Sequence, residues 1–133
     1  MFQWIRSWFR KPEPHAVAEQ GFRATLDNLL QAWFALAAAR GKPKYLLWKS
    51  AESLGEVVFV VEVESQRLVA LQELLVQWEA EPDSPLADVP QASEPRRVVA
   101  IFWREGGTWQ TDGRAIMNLS AQQVLEQKRF QLP

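Results

Sequence analysis

Cysteine is absent from the 133 residues, so there is no disulfide framework, no thiolate nucleophile and no Cys-ligated zinc. Histidine occurs once, at His15, among Pro12, Glu13 and Pro14. A hinge or first helical turn holds a side chain too loosely for general-base work. No apolar run approaches the roughly 20 residues that cross a bilayer, and the opening segment has neither a continuous apolar stretch nor a small-residue cleavage site. The expected location is cytoplasmic, peripheral at the membrane at most. Neither sign of charge is in excess, with 16 acidic against 15 basic residues. The overall positive field that gathers nucleic acid through its phosphates is missing, and a nucleic-acid partner is not expected. HExxH, GxSxG and GxxxxGK[ST] motifs are all absent. No catalytic residue, metal site or cofactor is assigned.

What is abundant is tryptophan, seven residues in so short a chain, with seven phenylalanines. Each indole has a large apolar body and one N–H that requires a partner when enclosed. Core packing accounts for most of them.

The first ten residues read as an amphipathic helix. At about 100° per residue, Met1, Phe2, Trp4, Ile5, Trp8 and Phe9 share an arc of roughly 160°, opposite Gln3, Arg6, Ser7 and Arg10. Lys11-Pro12-Glu13-Pro14 interrupts it as a hinge. Residues 1–13 are therefore set apart from a single α+β domain at 14–133. If helical, the apolar arc must be covered by a membrane interface, by a groove on a partner protein or another copy, or by its own domain.

A long helix is expected from Pro14 to about Arg40, with Phe22, Leu26, Leu29, Leu30, Trp33, Leu36 and Ala37 as its apolar stripe; Gly21 marks a possible irregularity. Gly41 and Pro43 stop it. Tyr45–Lys49 reads as a short strand, Leu54-Gly55 as a turn, and Glu56–Val63 as the clearest strand, apolar on both faces. Residues 67–80 fit helix and strand periodicities alike. A long, bulged strand is favoured because the valine strand needs a partner. Pro82, Pro85, Pro90 and Pro95, with Asp83, Asp88 and Glu94, make 81–95 an exposed acidic loop.

Gly106-Gly107 between two strand-like runs predicts a hairpin with a primed turn, in which Glu105 faces Thr108, Arg104 faces Trp109 and Phe102 faces Thr111. Stacking of Arg104 on Trp109, joined by Arg96, Arg97 and Arg114, would make an aromatic and basic surface for an anionic partner. Asp27 and Asp112 have simpler explanations as a helix-surface pair and a turn residue. Ser120 with Gln123 predicts a capping box on a final helix running to Lys128 or beyond, with Leu119 and Val124 as its staple.

The expected fold is α+β: a curved antiparallel sheet of about five strands against a long N-terminal helix, with a short C-terminal helix and the helices on one face. This element order resembles cystatin and nuclear-transport-factor-like cones, and type III secretion chaperones. No residue motif carries the resemblance, and it implies no function. The leading functional expectation is a non-catalytic binding or adaptor module. Its candidate contact residues are Phe2, Trp4, Ile5, Trp8, Phe9, Arg104 and Trp109. The alternative is a small-ligand-binding or enzymatic cone, with Asp27, Tyr45 and Asp112 converging on a pocket between first helix and sheet.

Overall fold

The computed structural model describes residues 13–117 and 119–133. Instead of one helix from Pro14, two appear: α1 (His15–Ala24) and α2 (Leu26–Ala39). The break falls at Thr25 (φ −112°, ψ 14°), four residues beyond Gly21, where the Thr25 hydroxyl donates to the Gly21 carbonyl at 2.7 Å. A β-branched residue that offers the backbone a side-chain hydrogen bond weakens helical continuity. Pro14 is extended at the N-cap position, not in the first turn, and its carbonyl accepts from the Val17 and Ala18 amides. Ala18, Phe22, Trp33 and Ala37 are buried. Leu36, expected in the same stripe, is 43% exposed, lying at the edge of the α2 face that Trp33 and Ala37 bury.

The strands expected at 45–49 and 56–63 are one strand, β1 (Leu46–Glu62), which passes straight through Leu54-Gly55. Gly55 has φ +65° and makes an irregularity within the strand, not a reversal. Between facing pairs Leu54–Glu73 and Val58–Leu71, β1 advances four residues (54 to 58) and its partner two (73 to 71). Buried Gln72 occupies the gap and donates to the Leu54 and Gly55 carbonyls at 3.4 and 3.3 Å. The partner is β2 (Leu68–Ala80), so residues 67–80 are strand, with the bulging on β1. Leu68, Ala70, Leu74, Val76 and Trp78 share one face; Val69 and Leu71 lie on the other.

β3 (Arg96–Glu105) pairs with β2, then turns into β4 (Thr108–Gln110). Gly106 and Gly107 have φ +61° and +79°, as a type I′ turn requires, and Arg104 faces Trp109. Thr111 lies just beyond β4, its hydroxyl donating to the Ile101 carbonyl at 3.0 Å. β5 (Ala115–Met117) joins the same edge of β3, and β6 (Phe130–Gln131) pairs with the end of β1. The result is one open antiparallel sheet of six strands, ordered β4-β3-β2-β1-β6, with β5 beside β3.

Because its central strands are apolar on both sides, the sheet is covered on both. α1 and α2 cover the face of Ala70, Leu74 and Phe102. The short α3 (Ala121–Leu125) packs on the opposite face against Val60, Val69, Leu71 and Val99, where all helices had been expected on one side. Ser120 and Gln123 form the expected capping box. The helix stops at Leu125, short of Lys128, and the chain turns so that Phe130 is buried in the second core while its backbone extends the sheet.

Candidate functional site

Phe2, Trp4, Ile5, Trp8 and Phe9, with the amphipathic helix expected there, lie outside the described residues. Glu13, the first described residue, is bonded to the sheet. The Arg104 guanidinium grips the Glu13 carboxylate with two hydrogen bonds, Nε to Oε1 at 2.8 Å and Nη2 to Oε2 at 2.7 Å. Strand alternation puts Arg104 on the α1/α2 face, and the type I′ turn holds it opposite Trp109. The bidentate bond from Arg104 holds the Glu13 carboxyl below its ordinary range.

The guanidinium carbon of Arg104 lies 5.8 Å from the Trp109 ring centre, so the expected cation–π pair forms. Trp109 is nevertheless part of the core. It is 9% exposed, packs edge-on to Phe22 and donates from its indole to the Ala18 carbonyl at 2.8 Å. The hairpin thus secures α1, and Arg104 secures Glu13, two residues before it.

The other arginines of the expected basic surface are separated. Alternation along β3 directs Arg96 with Arg104 and Arg97 to the opposite face. Arg97 approaches Glu73 at 3.7 Å and Arg114 pairs with Asp112 at 2.8 Å. Arg96 has no carboxylate within 4 Å among the described residues; its guanidinium donates to the Gln91 carbonyl at 3.4 Å.

Asp27, Tyr45 and Asp112 do not converge. Asp27 borders an open groove of about 500 Å³ between α2 and β1. Tyr45 precedes β1 with φ +70°, its carbonyl accepting from the Glu81 amide. Asp112 anchors the link between β4 and β5: its carbonyl accepts from Arg40 at 2.8 Å, and the neighbouring Arg114 carbonyl accepts from the Trp33 indole at 2.8 Å. His15 is exposed at the first residue of α1. No group of three potential metal ligands occurs among the described residues.

Two features were missed in the sequence. At the β1–β2 turn, Glu62 accepts from the Ser65 hydroxyl and from Arg67, and its carboxyl is held below its ordinary range chiefly by the Ser65 bond, with Arg67 adding to it against the opposing effect of burial. Glu62 and Arg67, opposite charges on the two sides of the four residues 63–66, were the available signal. The second is a cleft of about 420 Å³ where the 81–95 segment crosses the sheet, walled by Leu46, Trp78 and Met117 and roofed by Leu86 and Val89. Leu86 and Val89, spaced three apart within a polar, proline-rich stretch, were its only trace. Comparison with protein-family models, curated proteins and solved structures finds no match to this chain.

Proposed function

We propose that this protein is a non-catalytic binding module that attaches to a partner protein through the aromatic face of residues 1–10. The reading is supported by the aromatic packing between helices and sheet, where a cone-shaped enzyme or carrier would keep its pocket. Phe22 packs edge-on against Phe59, Phe102 and Trp109 at ring-centre distances of 5.1–5.7 Å, and Trp48 does the same between Trp33 and Trp78. The Glu13–Arg104 clasp gives the N-terminal segment a defined root, and a rooted segment loses less freedom on docking.

The test compares the native full-length chain with one carrying serine at Phe2, Trp4, Ile5, Trp8 and Phe9. Capture from native extract followed by identification of retained proteins should show a specific partner held by the first and lost by the second, at unchanged thermal unfolding midpoint. Equal retention by both would overturn the proposal. Sedimentation of the native chain alone with anionic vesicles would assign the segment to a lipid interface instead. Arg104→Ala should weaken capture without abolishing it. A shortened chain should begin at Pro12, so that Glu13 keeps its clasp.

A further inference from the structure

The outer edge of β1 is paired only at Val61 and Glu62, by β6. Residues 47–60 bond through their backbone to β2 on the inner side, and no other described segment shares a backbone hydrogen bond with them. Within that length, residues 50–54 run in unbroken register against residues 77–73, between the two irregularities of the strand. In an antiparallel ladder alternate residues turn both N–H and C=O away from the existing partner. This run is therefore a template for one more strand.

Beside the edge opens the groove of about 500 Å³ between α2 and β1, lined by Leu30, Gln31 and Phe34 of α2 and by residues 49–51 of β1. Phe34 stands edge-on to Trp48 with ring centres 5.9 Å apart, which fixes the apolar wall. Ala51 packs toward the first core on the α2 side, so the neighbouring Glu52 points to the other side of the sheet, where it is exposed. A strand added here would alternate between an apolar trough and an acidic margin.

Charge decides what such a strand can carry. The one cation of the groove, Lys49, is engaged by Glu79 at 3.2 Å. Asp27 at the groove, and Glu52 and Glu56 on the strand, are exposed carboxylates with no cation within 4 Å among the described residues. A second copy would set this acidic edge against itself, and like charges across a strand pair are unfavourable.

We propose that the β1 edge and the α2 groove receive an extended segment of a partner protein as an added strand, one that alternates apolar with basic side chains. Its backbone bonds to the outward groups of residues 50–54. Its apolar side chains lie against Leu30, Phe34 and Ala51, and its lysines or arginines meet Glu52 on the far face. In strand addition of this kind main-chain bonds supply affinity and alternate side chains supply specificity. The surface is separate from the Glu13–Arg104 clasp and does not depend on the function proposed above.

The probe is a short capped peptide of alternating lysine and valine, titrated into the full-length protein by calorimetry, with alternating glutamate and valine as the control. The lysine peptide should bind saturably, and the amides of residues 50–54 should shift in NMR and gain protection from hydrogen exchange. N-methylated peptides separate strand addition from simple charge attraction. Methylating the valine amides blocks one backbone edge of the peptide and methylating the lysine amides blocks the other, so one form should lose binding and the other keep it. Glu52→Lys, at an exposed position, should keep the native unfolding midpoint and weaken binding about fivefold or more. Absence of saturable binding, equal affinity for the glutamate peptide, indifference to both methylations or an unaffected Glu52→Lys variant would each overturn the assignment. So would binding seen only when Phe2, Trp4, Ile5, Trp8 and Phe9 are replaced by serine, which would give the groove to this chain's own first residues. Self-association that protects the same amides would overturn it too, by giving the edge to a second copy.

Discussion

Gly113 lies where the β4–β5 link presses on α2. A Cβ built there would stand 2.7 Å from the Ala37 nitrogen and the Leu36 carbonyl carbon, with φ at +82°. Gly113→Ala should therefore cost about 3 kcal/mol, since backbone must move as well as adopt a left-handed conformation. Gly107→Ala has open space at φ +79° and should cost only about 1–2 kcal/mol. Urea unfolding of the two variants separates close approach from backbone conformation. Gln72 is the one buried polar side chain beside the strand irregularity, donating also to the Glu73 carbonyl at 3.1 Å. Gln72→Leu should destabilise by about 1–3 kcal/mol, because the carbonyls it caps lose a donor. Glu62 adds a pH dependence. Its folded pKa lies below the ordinary 4.5, so its contribution is complete above that value and is lost as pH falls below it through the depressed folded value. Glu62→Gln should be less stable than the native protein at neutral pH, with the gap closing in strong acid, as measured by unfolding across pH.

The elements show where local chemistry suffices and where it does not. The Gly106-Gly107 hairpin and the Ser120–Gln123 capping box form as local pattern dictates, because each is completed by residues only a few positions apart. Ser120→Ala should cost about 1 kcal/mol, read as a lowered unfolding midpoint. β2 was ambiguous from periodicity, since Leu68, Leu71, Leu75 and Trp78 also fit a helix. Its strand conformation follows from ladders on both sides, to β1 and β3, which a helix would leave unpaired. β1 exceeded its sequence reading for a related reason. A glycine after leucine signals a turn, but Gln72 of the neighbouring strand satisfies the irregular backbone and the strand continues. α3 was overextended because the pull of Phe130 toward the second core has no local signature.

At the scale of the molecule, the sheet divides the hydrophobic residues between two cores that depend on different helices. The first is aromatic and joins α1, α2 and the hairpin; the buried residues of the second are aliphatic apart from Phe130, with Trp103 packed against them, and it is closed by α3. Phe22→Ala should cost about 3–5 kcal/mol, since Phe59, Phe102 and Trp109 all lose their common neighbour, and near-ultraviolet circular dichroism should weaken with it. Among the described residues no helix is long and apolar enough to cross a membrane.

By itself the sequence determined the α+β class, the glycine turn, the capping box and the aromatic character of the interior. Those depend on periodicity and on contacts between residues close along the chain. Tertiary structure alone decided that Trp109 faces inward beneath Arg104, that Glu13 meets Arg104, and that α3 covers the second face. Each of these brings together groups far apart in sequence, or chooses between faces whose residues are equally apolar, and no local pattern encodes that choice.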